Sequence, residues 1–210
     1  MTSNAHKVAQ FLLNADAVRL NTDNPFTWAS GLSAPIYCDN RRILSYPRER
    51  TEIKQLLAET AQKSFPGTEI IAGVATAGIP HGALLADCMD LPFIYVRSGA
   101  KGHGMKSRIE GRVVPGKKVL VVEDLVSTGM SCLDAVKALR EAEFVVEGVI
   151  ALFTYQLDEA TDNFARENCK LATLSDYGTL IDVALRDKKI EEEDLESLRE
   201  WRISPKTWNN

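Results

Sequence analysis

Two adjacent acids, Glu123 and Asp124, follow four apolar residues (119–122) and lead into Leu125, Val126, Ser127, Thr128, Gly129, Met130 and Ser131. Neighbouring carboxylates can accept hydrogen bonds from the vicinal hydroxyls of a sugar. The backbone N–H groups of a Ser/Thr/Gly turn, with the hydroxyls of Ser127, Thr128 and Ser131, can wrap a monophosphate at the positive end of a helix dipole. An acid at a strand end and a hydroxyl before a helix also serve stability alone. The thirteen-residue combination is the more specific signal, and it describes a phosphoribose site.

Three further segments carry chemistry. Residues 73–82, Gly-Val-Ala-Thr-Ala-Gly-Ile-Pro-His-Gly, are small enough for backbone to approach an anion, and a helix follows at once. Residues 97–108 place Arg97, Lys101, Lys106, Arg108 and His103 among Gly99, Gly102 and Gly104. That stretch is too glycine-rich for a stable helix and belongs to a long loop, residues 98–114. A solvated basic loop is the plain alternative, but a diphosphate leaving group needs such charge, and a cationic lid that closes supplies it while excluding water. Residues 26–39 combine aromatics with Gly31 and Pro35. Residues 111–118 mimic a nucleotide-binding lysine loop but lack the following Ser/Thr and precede their strand, and Gly102-His-Gly104 lacks a third glycine. His6 and His81 are isolated and are read as non-catalytic.

The elements that must position these residues follow from periodicity. Val8, Phe11, Leu12 and Ala15 predict an amphipathic N-terminal helix, residues 24–40 a loop with a short strand, and Pro47 the start of a helix that Pro66-Gly67 ends. Strands are expected over 69–74, 92–96, 118–123 and 144–153, and helices over 79–88, 131–141 and 158–168. This repeated β-α-β order predicts an α/β fold: a doubly wound, mainly parallel sheet with helices on both faces and ligands at the carboxyl ends of its strands. Residues 190–201 are expected to form a closing surface helix. The chain reads as one domain: N-terminal helix and hood over 1–45, α/β core over 46–185, helix and tail over 186–210.

The 210 residues suffice for one well-cored α/β domain, and the composition, 45% hydrophobic and 26% charged, is ordinary for a globular protein. A net charge of −4 argues against nucleic-acid or anionic-membrane partners. No apolar stretch is long enough to span a bilayer and no signal-peptide pattern opens the chain. Cys38, Cys88, Cys132 and Cys169 are scattered without a CxxC pair, so neither a zinc site nor a secreted disulfide framework is expected, and reduced thiols in a cytoplasm are the default.

Residues 119–131 closely resemble the PRPP-binding motif of the type I phosphoribosyltransferases, and the 73–82 loop is similar to the family's pyrophosphate-facing loop. Residues 26–39 and 174–180 resemble the hood and tail of the branch that acts on orotate, so the likeness spans nearly the whole chain. The resemblance implies transfer of a phosphoribosyl group from PRPP to orotate, giving orotidine 5-phosphate and pyrophosphate in pyrimidine synthesis. It places Arg97, Lys101 and His103 on the diphosphate, with Lys101 the main loop contributor, and Glu123 and Asp124 on the ribose hydroxyls. The 5-phosphate falls to residues 125–131, and Ser127 lies near orotate. It also implies Mg²⁺ held mainly through PRPP and a homodimer whose basic loop acts across the interface.

The chain departs from some relatives, with Ala29, Ala77, Ser98 and Tyr155 where those carry cations. The orotate carboxylate is then left to hood amides around residues 30–33, or to Lys106 or Arg108. Transfer to a purine or uracil is the nearer alternative, and a PRPP-sensing regulator the more distant one.

Overall fold

Ser3 opens the first helix: its hydroxyl accepts the His6 N–H at 3.3 Å, and α1 (Asn4–Asn14) buries Val8, Ala9, Leu12 and Leu13. This computed structural model describes residues 3–28, 31–99 and 108–208. The next segment, expected as loop and short strand, forms two small antiparallel pairs. β1 (Val18–Leu20) pairs with β4 (Ile36–Cys38), and β2 (Phe26–Thr27) pairs with β3 (Ser33–Ala34). A 3₁₀ turn, Asn40–Ser45, leads to α2 (Pro47–Ser64), which starts at its proline and buries Ile53, Leu56, Leu57, Ala58 and Ala61.

The core then alternates as expected, through β5 (Ile70–Val74), α3 (Gly78–Met89), β6 (Phe93–Val96), β7 (Ile109–Glu110) and β8 (Lys118–Val126). It continues with α4 (Met130–Glu141), β9 (Val145–Thr154) and α5 (Asp158–Arg166), then β10 (Leu171–Asp176), α6 (Tyr177–Arg186) and α7 (Asp194–Ile203). Six strands make one sheet in the order β10-β9-β8-β5-β6-β7, parallel except for β7.

Alternate residues of the central strands enter two apolar clusters. Ile71, Leu120, Val122 and Ile150 join α1, α2, α3, α6 and α7, whereas Ala72, Val119, Val121 and Val149 join α4 and α5. Helices thus cover both faces, as the strands' near-continuous hydrophobicity requires.

Four features depart from the sequence reading. β7 sits inside the stretch expected to be loop, pairing Ile109 with Val96. β8 continues three residues past Glu123, so the diacid lies within the strand and does not end it. β10 and α6 were not anticipated as elements. The last helix starts at Asp194 and is no surface helix: Leu198 is 0% and Trp201 1% exposed, both within the main core.

Candidate active site

β8 pairs with β5 only as far as Val122↔Gly73, while its pairing with β9 runs on to Val126↔Thr154. Its last four residues therefore project beyond the neighbouring strand, and Glu123 and Asp124 stand at the start of that projection. The first turn of α3 lies against the same point. A Cβ on Gly78 would come within 2.4 Å of the Val122 carbonyl oxygen, so only glycine permits this approach. The preceding Ala75–Thr76 peptide is cis.

Glu123 is buried and Asp124 half-buried. The Asp124 N–H donates to Glu123 Oε1 at 3.0 Å. Burial first, and then the Asp124 charge, push the Glu123 carboxyl up to about 9, and burial raises Asp124 as well. Glu123 thus holds a proton at neutral pH. Such a pair offers one donor and several acceptors to a diol, and a cation drawn alongside would ionise it.

The diacid is braced by residues that sequence reasoning passed over. Asn40, wholly buried, donates from Nδ2 to the Asp124 carbonyl at 2.8 Å, and its Oδ1 accepts the Cys38 thiol at 3.2 Å. Beside it, Arg41 Nε donates to Asp39 Oδ1 at 2.6 Å, and the Arg41 charge acts to lower Asp124. Burial, then the Asp124 and Asp39 charges, raise the Cys38 thiol well above its ordinary value. The only sequence signal for this brace was the run of polar residues directly after the hood strand.

Ser127, Thr128 and Gly129 form the bend between β8 and α4. Gly129 has φ +79°, and a Cβ there would lie 2.6 Å from the Phe164 ring. Among the described residues no side chain caps α4, which leaves its first N–H groups without a side-chain acceptor, the arrangement that suits an anion. Asn163 Nδ2 holds the loop from behind, donating to the Thr128 carbonyl at 2.8 Å. Met130 is exposed and Ser131 open to solvent, so the loop is accessible from outside.

Arg97 leaves β6 two strands away from β8. It pairs with Glu110 at 3.3 Å and donates to the Gly99 carbonyl at 3.2 Å. With Arg108, Met130, Ser131 and Asp134 it lines a cavity of about 330 Å³ beside the start of α4. The structure thus brings Arg97, read from sequence as a diphosphate contact, to the same cavity as Ser131. Arg108 is committed to Asp134 at 2.5 Å and to the Arg97 carbonyl at 2.9 Å, which weakens its candidacy for a substrate carboxylate. Lys101, His103, Lys106 and the hood's Ala29 and Ser30 lie outside the described residues.

Hood and tail meet in an aromatic cluster. Trp28 stacks on Tyr155 with centroids 5.1 Å apart, and both contact Trp201 edge-on at 5.6 Å. Tyr155 is 2% exposed and spends its ring on this core. A second cavity of about 300 Å³ opens beside the cluster, lined by Trp28, Leu32, Thr128, Leu157, Arg202 and Pro205. Arg202 was not singled out from sequence, and nothing in its local pattern marked it. His81 is buried, its Nε2 without a partner among the described residues, and desolvation lowers it to about 4, so it stays neutral at physiological pH.

Comparison with known proteins agrees with this geometry. Residues 39–174, from the brace to the last strand, match the phosphoribosyl transferase domain. An orotate phosphoribosyltransferase of Enterococcus faecalis (strain ATCC 47077 / OG1RF) is 51% identical over 208 residues, 99% of either chain. One of Bacillus pumilus (strain SAFR-032) is 53% identical over 199 residues, 95% of this chain and 94% of that protein. Among solved structures, the orotate phosphoribosyltransferase of Aeropyrum pernix superimposes with a TM-score of 0.75 at 29% identity, covering 88% of this chain and 99% of the other. Half of all positions shared from end to end, on a sheet that carries the diacid strand and the glycine bend after it, place the chain in the orotate phosphoribosyltransferase family.

Proposed function

We propose that the protein transfers the phosphoribosyl group of PRPP to a ring nitrogen of orotate, releasing pyrophosphate and forming orotidine 5-phosphate. The observation that carries this reading is the succession, on one projecting strand, of the buried Glu123 and half-buried Asp124 and then of the α4 N-terminus at Met130, which no side chain caps among the described residues. In this reading Glu123 and Asp124 take the ribose 2- and 3-hydroxyls. Leu125, Val126, Ser127, Thr128, Gly129, Met130 and Ser131 wrap the 5-phosphate, and Ser127 reaches toward orotate. Arg97, Lys101 and His103 meet the diphosphate as it departs from C1, where stabilising the leaving charge and aligning the nucleophile lower the barrier.

Magnesium suits this site through its donor chemistry. Two adjacent carboxylates give hard oxygen ligands, too few for a protein cage but enough to complete a shell drawn mostly from PRPP and water. When bound, the ion would neutralise diphosphate charge and keep Glu123 and Asp124 ionised. The reading extends to a homodimer in which the basic loop serves the neighbouring site, and to a cytoplasmic setting in keeping with four free thiols among the described residues. No helix of the described residues is long and apolar enough to cross a membrane.

The test follows orotate absorbance with purified protein, PRPP and Mg²⁺, with uracil, adenine and hypoxanthine in parallel. PRPP-dependent loss of orotate, without turnover of the other bases, is expected. Turnover of another base in place of orotate would overturn the reading.

A further inference from the structure

We infer that Asn40 is a positioning residue for ribose binding, the hydrogen-bonded joint through which the hood sets the aim of the diacid; this rests on the proposed role of Glu123 and Asp124. Among the described residues the pairing of β8 with β5 ends at Val122. In this stretch the Asp124 carbonyl is taken by a side chain from 84 residues earlier, Asn40 Nδ2 at 2.8 Å. The amide's other end receives the Cys38 thiol, on the last residue of the hood strand β4. Asn40 is 0% exposed, one of few polar residues so deeply placed, and both ends of its amide are engaged. A buried amide with no alternative partner fixes geometry in both directions. Moving the hood moves Asn40, and moving Asn40 turns the backbone that carries the Asp124 carboxylate.

The position of this contact separates it from ordinary packing. It holds the backbone of a proposed ribose ligand and touches neither the phosphate loop nor Arg97. Loss of Asn40 should therefore weaken recognition of the sugar while leaving recognition of a bare diphosphate intact. Asn40→Ala removes the donor, and Asn40→Ser supplies a shorter donor to the same carbonyl.

Calorimetric titration of the full-length parent and both variants with PRPP, and separately with inorganic pyrophosphate, each with Mg²⁺, decides the matter. In Asn40→Ala, PRPP affinity should fall about tenfold or more, as expected for one buried hydrogen bond and its misplaced acid, with pyrophosphate affinity within twofold of the parent. Asn40→Ser should recover part of the loss. Equal losses for both ligands, or no loss for either, would overturn the inference. If Asn40→Ala fails to fold, Asn40→Ser carries the same comparison, with a selective loss of PRPP affinity of threefold or more expected and an unselective or absent one contradicting the role. Binding is read without turnover, so absent orotate turnover in the parent would sink the proposed reaction independently of this result.

Discussion

At the residue scale the account turns on two adjacent carboxyls kept partly out of water. Glu123 has a folded-state value raised to about 9, well above the ordinary range of an unfolded chain. The folded state therefore binds more protons than the unfolded one between about pH 4.5 and 9, and Glu123 erodes stability as pH rises through that window. Glu123→Gln should be more stable than the parent at pH 8, by about 1–3 kcal/mol, and the two should converge below pH 5. Denaturant unfolding across that range checks it, and a variant less stable than the parent at every pH would contradict it. Activity should move the opposite way, because the amide gives the ribose a weaker acceptor and no charge. In the loop, Lys101→Ala should lower kcat on the order of a hundredfold, the cost of one charge-assisted contact to a departing diphosphate. A change within about threefold, in single-turnover rates, would remove Lys101 from that role. The diacid was legible in sequence because its chemistry is contiguous. Asn40 was not, because its partner lies 84 residues away and a lone asparagine after a strand reads as a turn.

At the element scale the proposed phosphate loop depends on β8 outrunning β5 and on α4 following directly from a glycine. Gly129 takes a positive φ with no room for a Cβ beside Phe164. Gly129→Ala should distort the bend that presents the α4 N–H groups, weakening PRPP binding at least tenfold and costing about 1–3 kcal/mol of stability. An alanine variant with parent-like PRPP affinity would show that the bend does not hold the phosphate. Strong periodicity made β5, β8, β9 and α4 readable to within a few residues. The overrun of β8 could not be read, since Leu125-Val126 suit a turn or a strand and only β9 decides. β7, two residues long, owes its existence to pairing with β6. β10 was missed because an edge strand, half-exposed through Thr173, lacks a clean apolar pattern.

At the scale of the whole molecule, the C-terminal helix closes the core over the hood. Trp201 touches Trp28, Tyr155 and Tyr177, and Tyr177 Oη donates to the Leu198 carbonyl at 3.0 Å. The apolar positions of this helix were legible in sequence but their burial was not, because acids surround them locally and the partners Trp28, Tyr155 and Tyr177 come from distant segments. Trp201→Ala should cost about 3–5 kcal/mol, read by denaturant titration. Trp201→Phe, which keeps an aromatic ring and removes an indole N–H that has no partner among the described residues, should cost clearly less. An alanine variant within about 1 kcal/mol of the parent would show that hood and tail fold independently of this contact. The central claim, that β8 and the start of α4 form the phosphoribose site, is tested most directly by a crystal structure with PRPP and Mg²⁺. The account predicts the 5-phosphate on the backbone N–H groups of residues 127–131 and the ribose hydroxyls on Glu123 and Asp124. A phosphoribose bound elsewhere, with the diacid free of it, would contradict the account.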